Sequence, residues 1–250
     1  MTYPFSTPNR VTKYEVIEEV PRRTMVIFAH PDDAEIGAGA TAALWAANGT
    51  EITYVQCTTG SSGSNDLARF QTESWKFERP NRGQRPMRSE SATSWCLITR
   101  TASLMQTVYS SARSFMSSES IARRSFSLTT RTGTNGFQHR DHRSVGITVQ
   151  NAIYPYAQDH LHFPEQLTGG IEPYKVKHLF YWGTDQADVI VDVTDSVDTK
   201  IKALAQHKSQ IPGLSFGSDM DLRMRAHHAD AAKGYGFEYG EAFRRLTART

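Results

Sequence analysis

The chain is poor in cysteine, and no apolar stretch in it is long. Only Cys57 and Cys96 occur among 250 residues, which excludes a disulfide framework and a cysteine-rich zinc module. No segment approaches the roughly 18 consecutive apolar residues of a membrane-spanning helix, so no membrane span is expected. The formal charge of +2 leaves no strong basic field, and a nucleic-acid partner is not expected either. Met1 to Pro8 lacks a basic stretch followed by an apolar core, hence no signal peptide is read there. The expectation is a soluble cytoplasmic protein. Its 38% hydrophobic content is low for a globular chain, yet enough for one core.

What is present is patterned. Residues 1–22 are polar and contain proline, an extended lead-in. Thr24 to Ala29 is almost wholly apolar, as a central strand buried on both faces would be. From Glu35 to Asn48, Ile36, Ala40, Ala43, Leu44 and Ala47 fall at helical spacing. Asp32 or Asp33 is placed to cap this helix, and Gly49 to end it. Glu51 to Cys57 reads as a second strand, followed by the small-residue loop Thr58 to Gly63. Strand, loop, helix, strand makes a parallel βαβ unit with a right-handed connection. Farther on, His178 to Trp182 and Val189 to Val193 are strand-like. Thr194 or Asp195 can cap a helix with Val197, Ile201, Leu204 and Ala205 on one face. His139 to Ile153 places His142, Val145, Gly146, Val149 and Ile153 along one stripe, stopped by Pro155. Residues 212–240 suit a helix with loops around a site mouth. The whole, residues 1–250, reads as a single α/β domain.

The stretch 68–134 differs. Arginine, serine and threonine dominate, acidic residues nearly vanish, and neither strand nor helix periodicity persists. One reading is a disordered basic insert. The other is a stretch translated out of frame, by a frameshift or a sequencing error, and the abrupt return of pattern at Asn135 to His139 favours it. A nucleic-acid role for this arginine-rich run would demand a steep salt dependence of binding.

Chemistry gathers in two clusters. His30-Pro31-Asp32-Asp33 follows directly on the first strand, so its polar groups stand at the rim of a sheet, where α/β enzymes react. His139-Arg140-Asp141-His142 opens a later helix. Zinc in a hydrolytic site takes three protein ligands and keeps one position open. His30 and Asp33, three apart in a tight loop, can supply two, and His142 the third. Asp32 then stays free as a general base beside the ion. His139, one turn before His142, could carry a proton and stabilise an oxyanion. The run Gly37-Ala38-Gly39 faintly imitates a dinucleotide fingerprint, but it lies inside the helix, where small-residue packing explains it better. His227 and His228 are adjacent on a helix and should diverge towards solvent. His207 closes its helix as a favourable C-terminal cation, with a place at the pocket rim as a secondary role.

Ala29 to Glu35, His139 to His142 and Lys202 to Gln210 together resemble the LmbE-like, or PIG-L, zinc-dependent N-acetylglucosaminyl deacetylases. The resemblance covers about residues 23–67 and 135–246, including Asp192 to Thr194 and Glu241 to Phe243. It implies a Rossmann-like, mostly parallel sheet flanked by helices, with removal of an acetyl group from an N-acetylglucosamine unit. It implies His30, Asp33 and His142 as ligands of Zn2+ (or another divalent metal), Asp32 as base, and His139 as the group assisting the tetrahedral intermediate. The partner it implies is a small-molecule amino-sugar conjugate, and it admits a homo-oligomer. Arg140 stands where the family usually has proline. The family's third and fourth strands belong in 68–134, where Arg88 and Glu90 only weakly match its basic motif. Two alternatives remain open: another zinc amidase or esterase on the same site, or an inactive, poorly folded product of a shifted reading frame.

Overall fold

The computed structural model describes residues 13–58, 93–96, 125–130, 139–162, 164–168, 172–208 and 210–248, with 93–96 and 125–130 as backbone strands. Eight strands form one sheet: β1 Glu15–Val16, β2 Arg23–Phe28, β3 Glu51–Gln56, β4 Thr93–Cys96, β5 Ser125–Thr130, β6 His178–Trp182, β7 Val189–Asp192 and β8 Gly240–Thr247. Their order is β1-β7-β8-β6-β5-β2-β3-β4. β8 runs antiparallel to β6 and β7, while the other pairs are parallel. The fold is the expected α/β class with a mostly parallel sheet. β2 lies between β3 and β5, and its unbroken run from Thr24 to Phe28 is buried, as a strand covered on both faces must be.

Alternation along β2 divides the core in two. Met25 and Ile27 join Val55, Val145, Val149, Leu179 and Tyr181 on one face. Val26 and Phe28 join Ala34, Trp45, Tyr54, Phe180 and Trp182 on the other. The first face is covered by α2, Arg140–Asn151, which continues into a π-helical turn at Ala152–Tyr156. The second carries α1, Asp33–Ala47. A third cluster joins Val197, Ile201 and Leu204 of α4 (Val197–Leu204) to Ile211 and Leu214, with Met220 and Met224 of α5 (Asp219–Ala232) packed against it. The short α3, Pro164–Thr168, lies between α2 and β6 in the chain.

Several expected boundaries shift, each for a local reason. α1 starts at Asp33 rather than Glu35, and neither aspartate caps it. Asp32 occupies the N-cap without a capping bond, while Asp33 Oδ2 accepts the His30 N–H at 2.7 Å. Gly49, at φ 88°, ends it as expected. The N-cap of α4 is Ser196, not Thr194 or Asp195, because Asp192 Oδ1 already holds the Thr194 N–H and hydroxyl. α2 gives up α-geometry at Asn151, and Pro155 falls inside the π-turn that follows. The lead-in contributes β1 at the edge of the sheet. Glu241, Arg244 and Arg245 obscure β8 in the sequence. Within 68–134 the described residues include β4 and β5, so the sheet does draw two strands from the unpatterned stretch. Arg88, Glu90 and the loop from Thr59 to Gly63 lie outside the described residues.

Candidate metal centre

β2 ends at Phe28, and His30 turns back over the end of the sheet. The Asp33 carboxylate, taking the His30 N–H, fixes that turn. α2 approaches from the opposite face and brings His142. The outcome is a three-residue cluster: His30 Nδ1 lies 3.2 Å from His142 Nε2 and 3.3 Å from Asp33 Oδ2, while the other carboxylate oxygen, Asp33 Oδ1, lies 3.1 Å from His142 Nε2. A tetrahedral ion with bonds of about 2.0–2.2 Å sets its ligand atoms about 3.3 Å apart. The His30–His142 spacing has that dimension, and each imidazole nitrogen has one Asp33 oxygen at a similar distance, so one ligand atom from each residue lies within 4.8 Å of the others. Two imidazole nitrogens and one carboxylate suit a borderline divalent cation. His30, Asp33 and His142 could thus hold a metal ion.

A second group, His30, His139 and Asp141, overlaps the first. It is looser, since His139 Nδ1 stands 3.9 Å from Asp141 Oδ2. Asp141 Oδ2 lies 3.4 Å from His30 Nε2, the nitrogen facing away from the cluster. A carboxylate behind a metal-binding imidazole sets its tautomer and orientation, and Asp141 is placed for that task. It sits between two noted histidines, yet nothing in the sequence alone distinguishes it from a helix first-turn acid.

Electrostatics separate the two adjacent aspartates. Burial alone would push the Asp33 carboxyl up, but hydrogen bonds from His142 and His30 hold it well below the ordinary carboxylate range. Asp32 moves the other way, raised by burial and by the neighbouring Asp33 charge. One carboxylate is therefore kept ionised, and the other is made more basic. Burial works against a charge on His30, yet Asp33 and Asp141 raise its pKa overall.

His139 lies at the edge of this cluster. It is the exposed N-cap of α2, and its Nδ1 accepts the Asp141 N–H at 3.2 Å. Burial and the nearby His30 lower its pKa, which favours the neutral ring over the charged one. With Nδ1 accepting, the neutral ring carries its proton on Nε2 and still has one hydrogen bond to give. Its ring centroid is 4.7 Å from that of His30, so it borders the cluster. Arg140 takes the first helical position, where proline is favoured but not required.

The other singled-out residues divide. A Cβ on Gly37 would fall 2.2 Å from the Trp182 indole, and one on Gly39 would fall 3.2 Å from Lys200 Cγ. Small-residue packing is therefore the reason for this run. His227 is exposed as expected, but His228 is not. It is buried, bonds the Gly240 carbonyl at 2.9 Å, and has its pKa pushed down to about 3, chiefly by burial. His207 does more than close a helix. Its Nε2 lies 3.7 Å from Oε2 of the buried Glu35, and that carboxylate raises its pKa, with Asp32 adding to the effect.

Comparison with known proteins finds relatives in sequence and in fold. Residues 25–108 match the PIG-L family, described as GlcNAc-PI de-N-acetylase. A 42-residue stretch is 52% identical to the 1D-myo-inositol 2-acetamido-2-deoxy-alpha-D-glucopyranoside deacetylase of Salinispora arenicola, covering 17% of this chain and 14% of that enzyme. The chain therefore matches about one seventh of the length of this curated relative. Among solved structures, the N,N'-diacetylchitobiose deacetylase of Pyrococcus horikoshii has a TM-score of 0.71 at 22% identity, over 91% of this chain and 84% of that one. The 4-carboxy-2-hydroxymuconate hydratase GalB of Pseudomonas putida KT2440 scores 0.66 at 16% identity, over 92% and 98%. Residues 25–108 are thus similar in sequence to the PIG-L (LmbE-like) family, and over nine-tenths of the chain the fold is that of the Pyrococcus deacetylase structure. A deacetylase and a hydratase share that fold, so architecture alone does not select the reaction.

Proposed function

We propose that the protein is a metal-dependent hydrolase that removes the N-acetyl group from an N-acetylglucosamine-containing small molecule. The observation that carries this reading is the meeting of His30, Asp33 and His142 at 3.1–3.3 Å. The two-histidine, one-carboxylate donor set suits zinc, with another divalent ion as the close alternative. The family match over residues 25–108 supports acetylated glucosamine as the substrate class.

A divalent ion at this site supplies Lewis acidity, which polarises an amide carbonyl and eases deprotonation of water near neutral pH. The chain's own groups do the rest. Asp32, with a raised pKa, takes a proton from the water that attacks the carbonyl carbon. The C–N bond then breaks, and Asp32 returns that proton to the departing amine, leaving acetate and a free amino sugar. His139 offers its Nε2–H to the oxygen that gains negative charge. Asp33 stays ionised as a ligand throughout, because His30 and His142 stabilise its charge.

The test is acetate release from an N-acetylglucosaminyl inositol and from diacetylchitobiose, with simple acetyl amides and esters alongside. Asp32→Asn is expected to retain metal and lose about 10²–10⁴ in kcat. Undiminished turnover in that variant removes the mechanism. Faster hydrolysis of the simple amides or esters would place the same site in a different hydrolase. A purified chain without a cooperative melt or bound metal would instead fit the damaged-product alternative.

A further inference from the structure

α1 is not one continuous helix. Ala38, at φ −143° and ψ 16°, breaks it four residues after Ala34 and sets off a first turn that carries Asp33 and Glu35. In an unbroken helix the Ala40 N–H would donate to the Ile36 carbonyl. Here a buried ion pair serves both ends of that rung. Glu241 Oε1 accepts from Ala40 N at 3.2 Å, and its Oε2 accepts from Thr41 N at 2.8 Å. Lys200 Nζ donates to Ile36 O at 2.9 Å and to Glu241 Oε1 at 2.7 Å. Both side chains are only 3% exposed. Kinks arise where side chains enter the ladder in this way.

We propose that Lys200 and Glu241 are positioning residues for the metal-bearing turn. The proposal rests on the metal-site reading above. Lys200 belongs to α4 and Glu241 to β8, so two separate elements grip α1 at the break. Beyond α4, His207 Nε2 lies 3.7 Å from the buried carboxylate of Glu35 in the same turn. Trp182 presses on Gly37 from the sheet side, and Asp33 is thus aimed by contacts that never touch the ligand cluster. A buried ion pair contributes weakly to stability on balance, because desolvating the charges offsets their attraction. Aiming a helix turn is a role that such a pair fills and an apolar pair could not, since the N–H and C=O groups at the break take hydrogen-bonding partners and charge-assisted bonds are the stronger and more directional ones.

The experiment uses the full chain. The double variant Lys200→Met with Glu241→Gln removes both charges at similar volume. Gly39→Ala, whose new methyl would stand 3.2 Å from Lys200 Cγ, displaces the clamp gently if the double variant does not fold. Ser218→Ala removes the N-cap bond of α5 and serves as a destabilised control away from α1. Zinc affinity is measured by competition with a chromophoric chelator, site geometry by the visible bands of the cobalt-loaded protein, and folding by thermal melting. The double variant is expected to lose about 10–100-fold in zinc affinity, as for residues behind metal ligands, with altered cobalt bands. Gly39→Ala should show a smaller loss in the same direction, and Ser218→Ala a lower melting temperature at unchanged affinity. A folded double variant, or Gly39→Ala where the double fails to fold, that keeps the original affinity and cobalt spectrum overturns the positioning role alone. Should the unaltered chain take up no zinc, the metal reading falls and the positioning role falls with it.

Discussion

The two helices that deliver the ligands are held in opposite ways. α2 rests on an apolar stripe, Val145, Gly146, Val149 and Ile153, against Met25, Ile27 and Leu179, and the Tyr181 hydroxyl bonds Gln150 at 2.8 Å. α1 buries alanines, Gly39 and Trp45 in the second core, and adds the buried Glu35, Thr41 and a grip from the Lys200–Glu241 pair. Apolar packing is non-directional and tolerates small shifts, so α2 is set by burial and its histidine follows. Charged hydrogen bonds demand fixed atom positions, so α1 is set by direction. The aspartate pair, which must separate a ligand from a base, sits on the directional helix.

The strongest way to break the comparison is to remove a ligand from each side. His142→Ala and Asp33→Ala should both abolish stoichiometric metal, checked by elemental analysis. Each should lower deacetylation by roughly 10³-fold or more, the scale of several kcal/mol of lost charge stabilisation. If only one of them does so, the ion is held from one face.

A second pair of substitutions acts on the supports instead. Gly37→Ala would force the Trp182 indole aside and should cost about 1–3 kcal/mol as an overpacked site, with loss of metal affinity. Val149→Ala should cost a similar amount, about 1–3 kcal/mol by cavity formation, but leave affinity within a few-fold. Chemical denaturation beside metal titration separates these outcomes. Equal effects on affinity would erase the distinction between directional and apolar support.

The last effect is confined to low pH and leaves the candidate metal centre untouched. His228 is held neutral inside the fold, its pKa pushed down from 6.5 to about 3 by burial and the neighbouring Lys200 charge. Between these values the unfolded chain binds a proton that the folded chain refuses, so stability falls as pH drops from 6.5 towards 3. The loss from this group is at most about 5 kcal/mol. His228→Gln, which can still donate to the Gly240 carbonyl, should flatten that part of the stability curve. An unchanged slope would show that His228 is not the group responsible.

Much of this arrangement is legible in one dimension because the relevant residues are neighbours in the chain. His30, Asp32 and Asp33 follow directly on an apolar strand, and His139 and His142 are one helical turn apart. The stripe from Val145 to Ile153 shows which way His142 faces. Other features depend on partners far apart in sequence. Lys200 and Glu241 bond each other 41 residues apart and reach α1 across 164 residues or more, and each reads alone as an ordinary surface charge. His228 looks exposed until β8 supplies the Gly240 carbonyl, and β8 itself hides behind its charged residues. β4 and β5 come from a stretch where period-2 alternation is brief, Ser125 to Thr129 at most, and their places follow from pairing with β3, β2 and β6. Reading codons 68–134 in all three frames would show whether a patterned alternative underlies that stretch.

The ligand cluster draws its members from both layers, His142 from one side of the sheet and Asp33 from the other, with His30 on the lip between them. An ion seated there would act as a staple between the layers as well as a reagent. Each tenfold excess of free ion over its Kd then adds about 1.4 kcal/mol to the folded state, so loading and folding become one equilibrium.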